Sequence, residues 1–403
     1  MMVQAINEDT PEVVKVRQAA VVQSRVVRRR LIENSITLLV FLLIFAAFGV
    51  FLGGQFLNVA GRLLDVHQSV PVLLLGLAVL VTLIAGLFDL SVAGNATLSC
   101  FFTIGLTVNQ GLSFPVALLA ALAIGVVVGF VNGCLVEWLK VNAFIATLGT
   151  GAVCTGLASV YSGGSYVGPL PGGTQLPAWF VSFGSFANKA PTWLVTLAAL
   201  ALFASFSTGL DRVRPVGWDG RRWLVAKVAT LVVVAALLVF VVRIWEWIRN
   251  LSWMIAFLLI ATLALWVLMQ YTTFGRQVQA VGSNRAAAQL AGVKVRKQVI
   301  KSYVIGGLLA ATAGICLAAG QGSASPDIAA SFLLPAFAAA FLSTVVLSDG
   351  RFSAPGTVVG GVFVTWVGLG LIVAGLQPTY VNVINGLVLI GAVALSTATR
   401  TRR

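Results

Sequence analysis

Residues 70–87 read VPVLLLGLAVLVTLIAGL and contain no charged side chain. At about 1.5 Å per residue, a helix of this length spans most of a hydrocarbon core about 30 Å thick. Lipid offers the backbone no hydrogen-bond partners, so only a helix or a closed barrel is stable there. The run lacks the period-2 alternation of barrel strands. It therefore predicts a transmembrane helix.

Similar apolar runs recur along the whole chain. Hydrophobic residues make up 59% of the 403 residues and charged residues 9%, whereas ordinary soluble domains carry about a quarter charged residues. The composition predicts an all-α fold, a polytopic membrane helical bundle of about 10–12 transmembrane helices in one domain over residues 35–398. The further runs are 36–53, 96–108, 114–136, 144–161, 193–206, 224–242, 251–271, 303–319, 332–347, 354–376 and 381–396.

The formal net charge of +14 lies between these runs. Basic residues beside membrane spans are expected on the cytoplasmic side, so the charge does not indicate nucleic-acid binding. Alternate threading places the basic N-terminal segment 1–34, the loop near 272–301 and the basic tail 399–403 in the cytoplasm. It places residues 162–191, rich in Gly, Pro, Ser and aromatic residues, outside as a loop with little regular structure.

The chain contains few residues suited to catalysis or metal binding. His67 is the only histidine, the four cysteines lie inside apolar runs without CxxC spacing, and no GxxxxGK[ST] pattern occurs. We therefore predict no catalytic residue, no cofactor and no metal site. If the chain works with ATP, another subunit must bind the nucleotide.

Residues 86–95, GLFDLSVAGN, place the carboxylate of Asp89 between two apolar runs. A charged group at membrane depth costs about 3 kcal/mol unless it is paired or hydrated. We therefore predict a helix break, where Asp89 and Ser91 bond free amides at the start of the next helix. The alternative is a residue that couples to an ion or a proton.

Residues 271–301, YTTFGRQVQAVGSNRAAAQLAGVKVRKQVIK, are basic and contain no acid. Ser283 or Asn284 can cap a short helix, and Gly292 suits its C-terminal end. A helix this short is marginal alone, so it should dock on something. Its apolar face comprises Ala287, Leu290 and Ala291. The residues alone leave two interpretations open, docking on a protein and resting on anionic lipid.

Several motifs stand in one order: FDLSVAGN at 88–95, Asn132 with Gly133, FIATLGT at 144–150 and FGRQVQAVGSNRAAAQLAGV at 274–293. In this order the chain, from about residue 58 onward, resembles the permeases of bacterial ribose- and xylose-type ABC importers. The resemblance implies a bacterial inner-membrane protein, and an even number of spans with the basic segments inside predicts both termini in the cytoplasm. It also implies four kinds of partner: cytoplasmic ABC ATPase subunits, an extracytoplasmic sugar-binding protein, a second permease chain as in a homodimer, and membrane lipid.

The resemblance also implies roles for residues and a substrate class. The residues expected to couple to the ATPase are Gly275, Arg276, Gly282, Ser283, Asn284, Arg285, Ala287, Ala288, Leu290 and Gly292. Those expected at the helix break or along the translocation path are Asp89, Ser91, Asn95, Asn132, Thr147 and Thr150. The additional runs between 192 and 242 look like those of xylose-type members, which suggests xylose or another pentose.

One stretch departs from the family pattern. Where the family usually carries Gly-Gly-Thr-Ser-Leu-x-Gly-Gly, residues 343–356 read STVVLSDGRFSAPG.

The alternative function is an ion-coupled secondary transporter of a small solute, which would need intramembrane carboxylates as ion ligands. Apart from Asp89 and Glu137, acids are nearly absent from the apolar runs. This scarcity favours the ATP-driven permease.

Overall fold

The structure, a computed structural model, describes residues 41–211, 219–346, 350–377 and 379–401. The predicted N-terminal segment 1–34 and the end of the tail, residues 402–403, lie outside this part of the chain. The helices are α1 (Phe41–Leu52), α2 (Gly54–Leu57), α3 (Val59–Ile84), α4 (Val92–Val108), α5 (Phe114–Glu137), α6 (Ala143–Ser162), α7 (Ala178–Gly184), α8 (Thr192–Asp211), α9 (Gly220–Ala236), α10 (Ile244–Asn250), α11 (Trp253–Tyr271), α12 (Thr273–Ser283), α13 (Arg285–Leu290), α14 (Val295–Gln321), α15 (Leu333–Val346), α16 (Ala354–Val373) and α17 (Tyr380–Thr401). A π-helical segment, Leu237–Val241, follows α9, and a 3-10 turn, Ala330–Phe332, precedes α15.

Seven helical stretches in the described ranges are long and apolar enough to cross a membrane. They are α3, α5, α6, α11, α14, α16 and the stretch Arg221–Phe240. Four shorter apolar helices accompany them, Phe41–Leu52, Val92–Val108, Thr192–Ala201 and Ala330–Thr344. The predicted all-α polytopic membrane bundle is therefore confirmed.

Helix α3 begins earlier than the apolar run predicted. Asn58 caps it, because its side-chain oxygen accepts a hydrogen bond from the Gly61 N–H at 3.2 Å. The first turns include buried Arg62, which is 3.0 Å from the Asp65 carboxylate and lies over the Phe56 ring. The helix α3 therefore extends well before residue 70, with the charge of Arg62 facing Asp65 and the Phe56 ring.

The predicted loop 162–191 also differs from expectation, because it contains α7. Phe180 of this short helix is almost fully buried, and its ring centroid lies 4.6 Å from that of Phe114. Burial of the aromatic ring explains why seven residues stay helical where isolated helices of that length are marginal.

The centre of the bundle is α14, which packs against α3, α4 and α5. Glycines allow its backbone to approach theirs closely. A Cβ on Gly307 would overlap the carbonyl oxygen of Gly125, and one on Gly314 would overlap that of Ala96. Such close approach is how small residues hold membrane helices together, where lipid supplies no hydrophobic driving force between them.

Candidate functional site

The chain between α3 and α4 leaves the helical path, and Asp89 lies in this break with 1% of its surface exposed. Its Oδ1 accepts hydrogen bonds from the Ser91 N–H at 3.0 Å and the Ser91 hydroxyl at 2.6 Å. A carboxylate just before a helix start is favoured by free amides and by the helix dipole. The other oxygen, Oδ2, lies beside Gly306 and has no hydrogen-bond partner among the described residues.

A chain of side-chain hydrogen bonds extends from this carboxylate to two further helices. The Thr150 hydroxyl of α6 donates to Asn132 Oδ1 at 2.6 Å, and Asn132 Nδ2 of α5 donates to Ser91 Oγ at 2.7 Å. We call Asp89, Ser91, Asn132 and Thr150 the Asp89 network. Three of its members are buried and Thr150 is partly exposed. The network thus joins the break to α5 and α6.

The two other residues predicted for the break or the path lie next to this network. The Leu90 N–H donates to Thr147 Oγ1 at 3.1 Å, one turn of α6 before Thr150. Asn95 lies one turn after Ser91 and donates from Nδ2 to the Gly307 carbonyl at 3.1 Å, which connects α4 to α14. The structure therefore gathers all six residues around the start of α4.

The coupling segment, which we define as residues 272–301, forms α12, α13 and the first turns of α14. Asn284 caps α13, since its Oδ1 accepts from the Ala287 N–H at 3.0 Å. Ser283 instead donates from its hydroxyl to the Ala280 carbonyl at 2.9 Å. Gly292 follows α13 with a positive φ of 83°, a conformation that glycine adopts without strain. The cap is therefore Asn284.

Most of α13 faces outward. Ala288 is buried, whereas Ala287 and Leu290 are exposed, and Leu290 exposes 91% of its surface. Arg276 on α12 is exposed too, whereas Gly275 is buried against the Met269 backbone. The predicted apolar face of α13, formed by Ala287, Leu290 and Ala291, is therefore open to a partner.

The inner side of the coupling segment packs on the main bundle through a small apolar core. We call it the Tyr303 cluster, and it joins α12, α13 and α14 to the end of α5 and the start of α6. Its buried members are Val136, Ala146, Val281, Ala288, Val295, Val299 and Tyr303. The Tyr303 hydroxyl donates to the Phe88 carbonyl at 3.0 Å, next to Asp89. The coupling segment and the Asp89 network therefore share a border.

A second contact joins the coupling segment to the end of α3. A Cβ on Gly282 would overlap the Ile84 carbonyl oxygen, and Gly86, with a φ of 78°, lies against Gly282. Two glycines thus allow α12 to touch the backbone where α3 gives way to the break. Beside this contact lies a cleft of about 600 Å³, lined in part by Gln279 and Arg351.

Sequence reasoning did not assign Glu137 to the site. Glu137 ends α5 and its side chain is fully buried. One nitrogen of Arg285, Nη2, donates to both carboxylate oxygens, at 2.7 and 2.5 Å, and Lys140 Nζ is 3.6 Å away. The sequence gives a partial signal for this pair. Glu137 is an acid at the end of an apolar run, and the basic segment 271–301 contains no acid of its own.

His67 lies at the other end of α3 and is buried. Its Nε2 is 3.0 Å from the Gly184 carbonyl, so Nε2 carries the proton, and its Nδ1 accepts from the Ser252 hydroxyl at 2.8 Å. His67 therefore holds α7 and the start of α11 against α3.

Lys189 lies near this contact, over the Phe186 ring. Desolvation by partial burial lowers the pKa of Lys189.

Residues 66–393 match the family described as branched-chain amino acid transport system, permease component. The chain belongs to this permease family. It is similar to the autoinducer 2 import system permease protein LsrC of Salmonella typhi, with 28% identity over 345 residues, 85% of this chain and 80% of that protein. It is also similar to the galactose/methyl galactoside import permease protein MglC of Haemophilus influenzae, with 27% identity over 281 residues, 70% and 66% of the two chains. No solved structure matches.

These comparisons confirm the resemblance to permeases of sugar ABC importers. The chain is a multi-pass membrane protein of a transport permease family, and the family is a permease component rather than an enzyme. Membership implies ATPase and substrate-binding protein partners.

Proposed function

We propose that this chain forms the translocation path of an ATP-driven monosaccharide importer in a bacterial inner membrane. Separate cytoplasmic ATPase subunits drive it, and an extracytoplasmic sugar-binding protein delivers the solute. The strongest support is the shared border between the coupling segment and the Asp89 network, formed by Gly282 against Ile84 and by the Tyr303 cluster. A change at α13 can reach the polar centre of the bundle through contacts of one or two residues.

The path, in this proposal, runs past the Asp89 network. A sugar in an apolar bundle needs hydrogen-bond partners for its hydroxyl groups, since burying a polar group without a hydrogen bond costs roughly 2–7 kcal/mol. Thr150 is partly exposed on α6, a helix with only 28% of its apolar span buried in the single chain. We place the second permease chain against this face of α6, so that Thr150 lies between two copies in a homodimer.

The solute class follows from the relatives, and the particular sugar is a finer proposal. Their names include a galactose permease and an autoinducer 2 permease. The pentose expected from the sequence, xylose or a related sugar, gains no support from these names. A substrate panel should therefore include xylose, ribose and galactose.

The ATPase, in this proposal, contacts the exposed side of α13. Leu290 and Ala287 offer it an apolar surface, while buried Ala288 holds the helix to the bundle. Residues 272–301 then lie in the cytoplasm, and we propose that both termini lie on the same side. Labelling of a cysteine at Thr399 by an impermeant reagent in intact cells would contradict that orientation.

Reconstitution tests the function. The full chain is purified with its co-purifying ATPase, inserted into vesicles, and supplied with labelled xylose, ribose or galactose and the binding protein. We expect uptake of one of these sugars that requires ATP, and none with the chain alone. Uptake driven by a proton or sodium gradient without an ATPase would contradict the proposal and favour the secondary transporter.

A further inference from the structure

The pair formed by Glu137 and Arg285 is unusual in three ways. Glu137 is fully buried, it lies 148 residues from Arg285 in sequence, and it ends α5. A carboxylate near a helix C-terminus is disfavoured by the helix dipole. Lys140, whose side chain is 59% exposed, compensates it only from 3.6 Å. Arg285 is therefore its principal partner.

Packing alone does not account for an acid at this position. A buried ion pair contributes little net stability, and well-packed apolar residues of similar volume often serve as well or better. The residues just before Glu137 make apolar contacts, because Val136 belongs to the Tyr303 cluster and Leu135 packs against it. An ion pair adds direction, since one guanidinium nitrogen reaches both carboxylate oxygens in a charge-assisted contact. Such a contact fixes where α13 sits relative to α5.

Helix α5 leads directly from this pair to the Asp89 network. Asn132 lies five residues before Glu137 on the same helix, about 7.5 Å along its axis. Asn132 bonds both Ser91 and Thr150. Sharp kinks in helices occur almost always at proline, at glycine–serine pairs or at helix defects, and the stretch of α5 from Asn132 to Glu137 has none of these. A displacement of Arg285 would therefore move the middle of the network.

We propose that Glu137 is a positioning residue of the coupling segment, an inference that rests on the proposed function. Through Arg285 it holds α13 to the end of α5, so that movement of α13 during ATP hydrolysis shifts Asn132 within the Asp89 network. Arg285 accordingly binds within its own chain, and the ATPase meets the neighbouring apolar residues of α13. Loss of the pair leaves ATP hydrolysis in place and separates it from transport.

The test measures sugar taken up per ATP hydrolysed by the reconstituted complex, using the sugar that the parental complex transports. The variants are Glu137→Gln, Arg285→Gln and the double variant, with Arg296→Gln as a control cation that is exposed in the same segment. We expect the ratio to fall at least about tenfold in both single variants, because either change removes the charge-assisted contact that ties α13 to the end of α5. The double variant should fall no further, since both changes break one interaction.

This ratio separates positioning from a merely structural role. If Glu137 only stabilised the fold, transport and ATP hydrolysis would decline together and their ratio would stay at the parental value. That result would overturn the inference, as would a double variant whose loss is the product of the single losses. Arg285→Gln keeps the test valid if Glu137→Gln folds poorly, because Arg285 is half exposed. A parental complex without ATP-dependent uptake would overturn the proposed function and this inference together, whereas unchanged ratios in a working complex overturn this inference alone.

Discussion

The centre of the bundle and the coupling segment are built in opposite ways. At the centre, α14 meets α4 and α5 backbone to backbone through Gly307 and Gly314, and little surface is left exposed. The coupling segment touches the bundle at a few points, the Gly282 contact, the Tyr303 cluster and the Arg285 pair, and exposes most of α13. The centre is specified by steric fit, whereas the coupling segment is specified by separate contacts.

This contrast indicates how each region should respond to change. Where backbones touch, even one added methyl group needs helices to separate, because packed interiors tolerate little extra volume. Where a helix is held at separate points, a surface substitution leaves the fold intact and alters only what binds there. We therefore expect the largest losses of stability for substitutions at the centre of the bundle and the smallest for substitutions on the exposed face of the coupling segment.

The largest effect is expected at Gly307. Gly307→Ala should destabilise the purified chain by about 2 kcal/mol, because the added Cβ overlaps the Gly125 carbonyl oxygen and overpacking costs roughly 1–3 kcal/mol. Gly320→Ala is the matched control, since Gly320 belongs to the same helix and a Cβ there meets nothing within 4 Å. Thermal unfolding in detergent measures both. Equal stability of the two variants would mean that α14 and α5 do not approach this closely.

The position of the helices, and part of the site, could be predicted from the sequence. Apolar runs mark most helices, because the bilayer imposes length and composition on each span separately. The helix break between α3 and α4 could also be predicted, because Asp89 interrupts an apolar run where a charge is costly. The candidate caps Ser283 and Asn284 and the glycine at 292 are local signals, and the structure selects Asn284 as the cap.

Long-range pairings explain what the sequence did not reveal. Whether Glu137 is paired depends on Arg285, which only the fold brings near it. The early start of α3 depends likewise on burial of Arg62 beside Asp65 and Phe56, and α7 depends on a place for Phe180 beside Phe114. A single sequence carries composition and periodicity but not these partners.

An intermediate effect is expected at Thr150, the outermost member of the Asp89 network. Thr150→Val should cost about 1 kcal/mol, because it removes an interhelical hydrogen bond to Asn132, and such bonds in membrane proteins contribute about 0.6 kcal/mol on average and up to about 1.7 kcal/mol. Thr155→Val is the control on the same helix, since the Thr155 hydroxyl donates at 3.1 Å to the Gly151 carbonyl of its own helix. Denaturation of both variants in detergent gives the difference. A smaller loss for Thr150→Val than for Thr155→Val would show that the network does not stabilise the α5 and α6 pair.

The smallest effect on stability is expected at Leu290, together with a clear effect on assembly. Leu290→Ser should change the stability of the isolated chain by less than about 0.5 kcal/mol, because Leu290 exposes 91% of its surface and substitutions at exposed positions usually have effects this small. If Leu290 inserts into the ATPase, its truncation removes a buried anchor, and such anchors typically contribute more than about 1 kcal/mol to binding. The amount of ATPase that co-purifies should therefore fall.

Gln289→Ala is the control for Leu290→Ser, since Gln289 is exposed on the same short helix but lies outside its apolar face. Thermal unfolding and the recovered ATPase are measured on the same preparations, so that a loss of partner cannot be mistaken for a loss of fold. Full recovery of ATPase with Leu290→Ser, at normal levels in the membrane, would place the docking surface elsewhere. The exposed face of α13 would then fit a helix that rests on anionic lipid, the interpretation that its basic surroundings also allow.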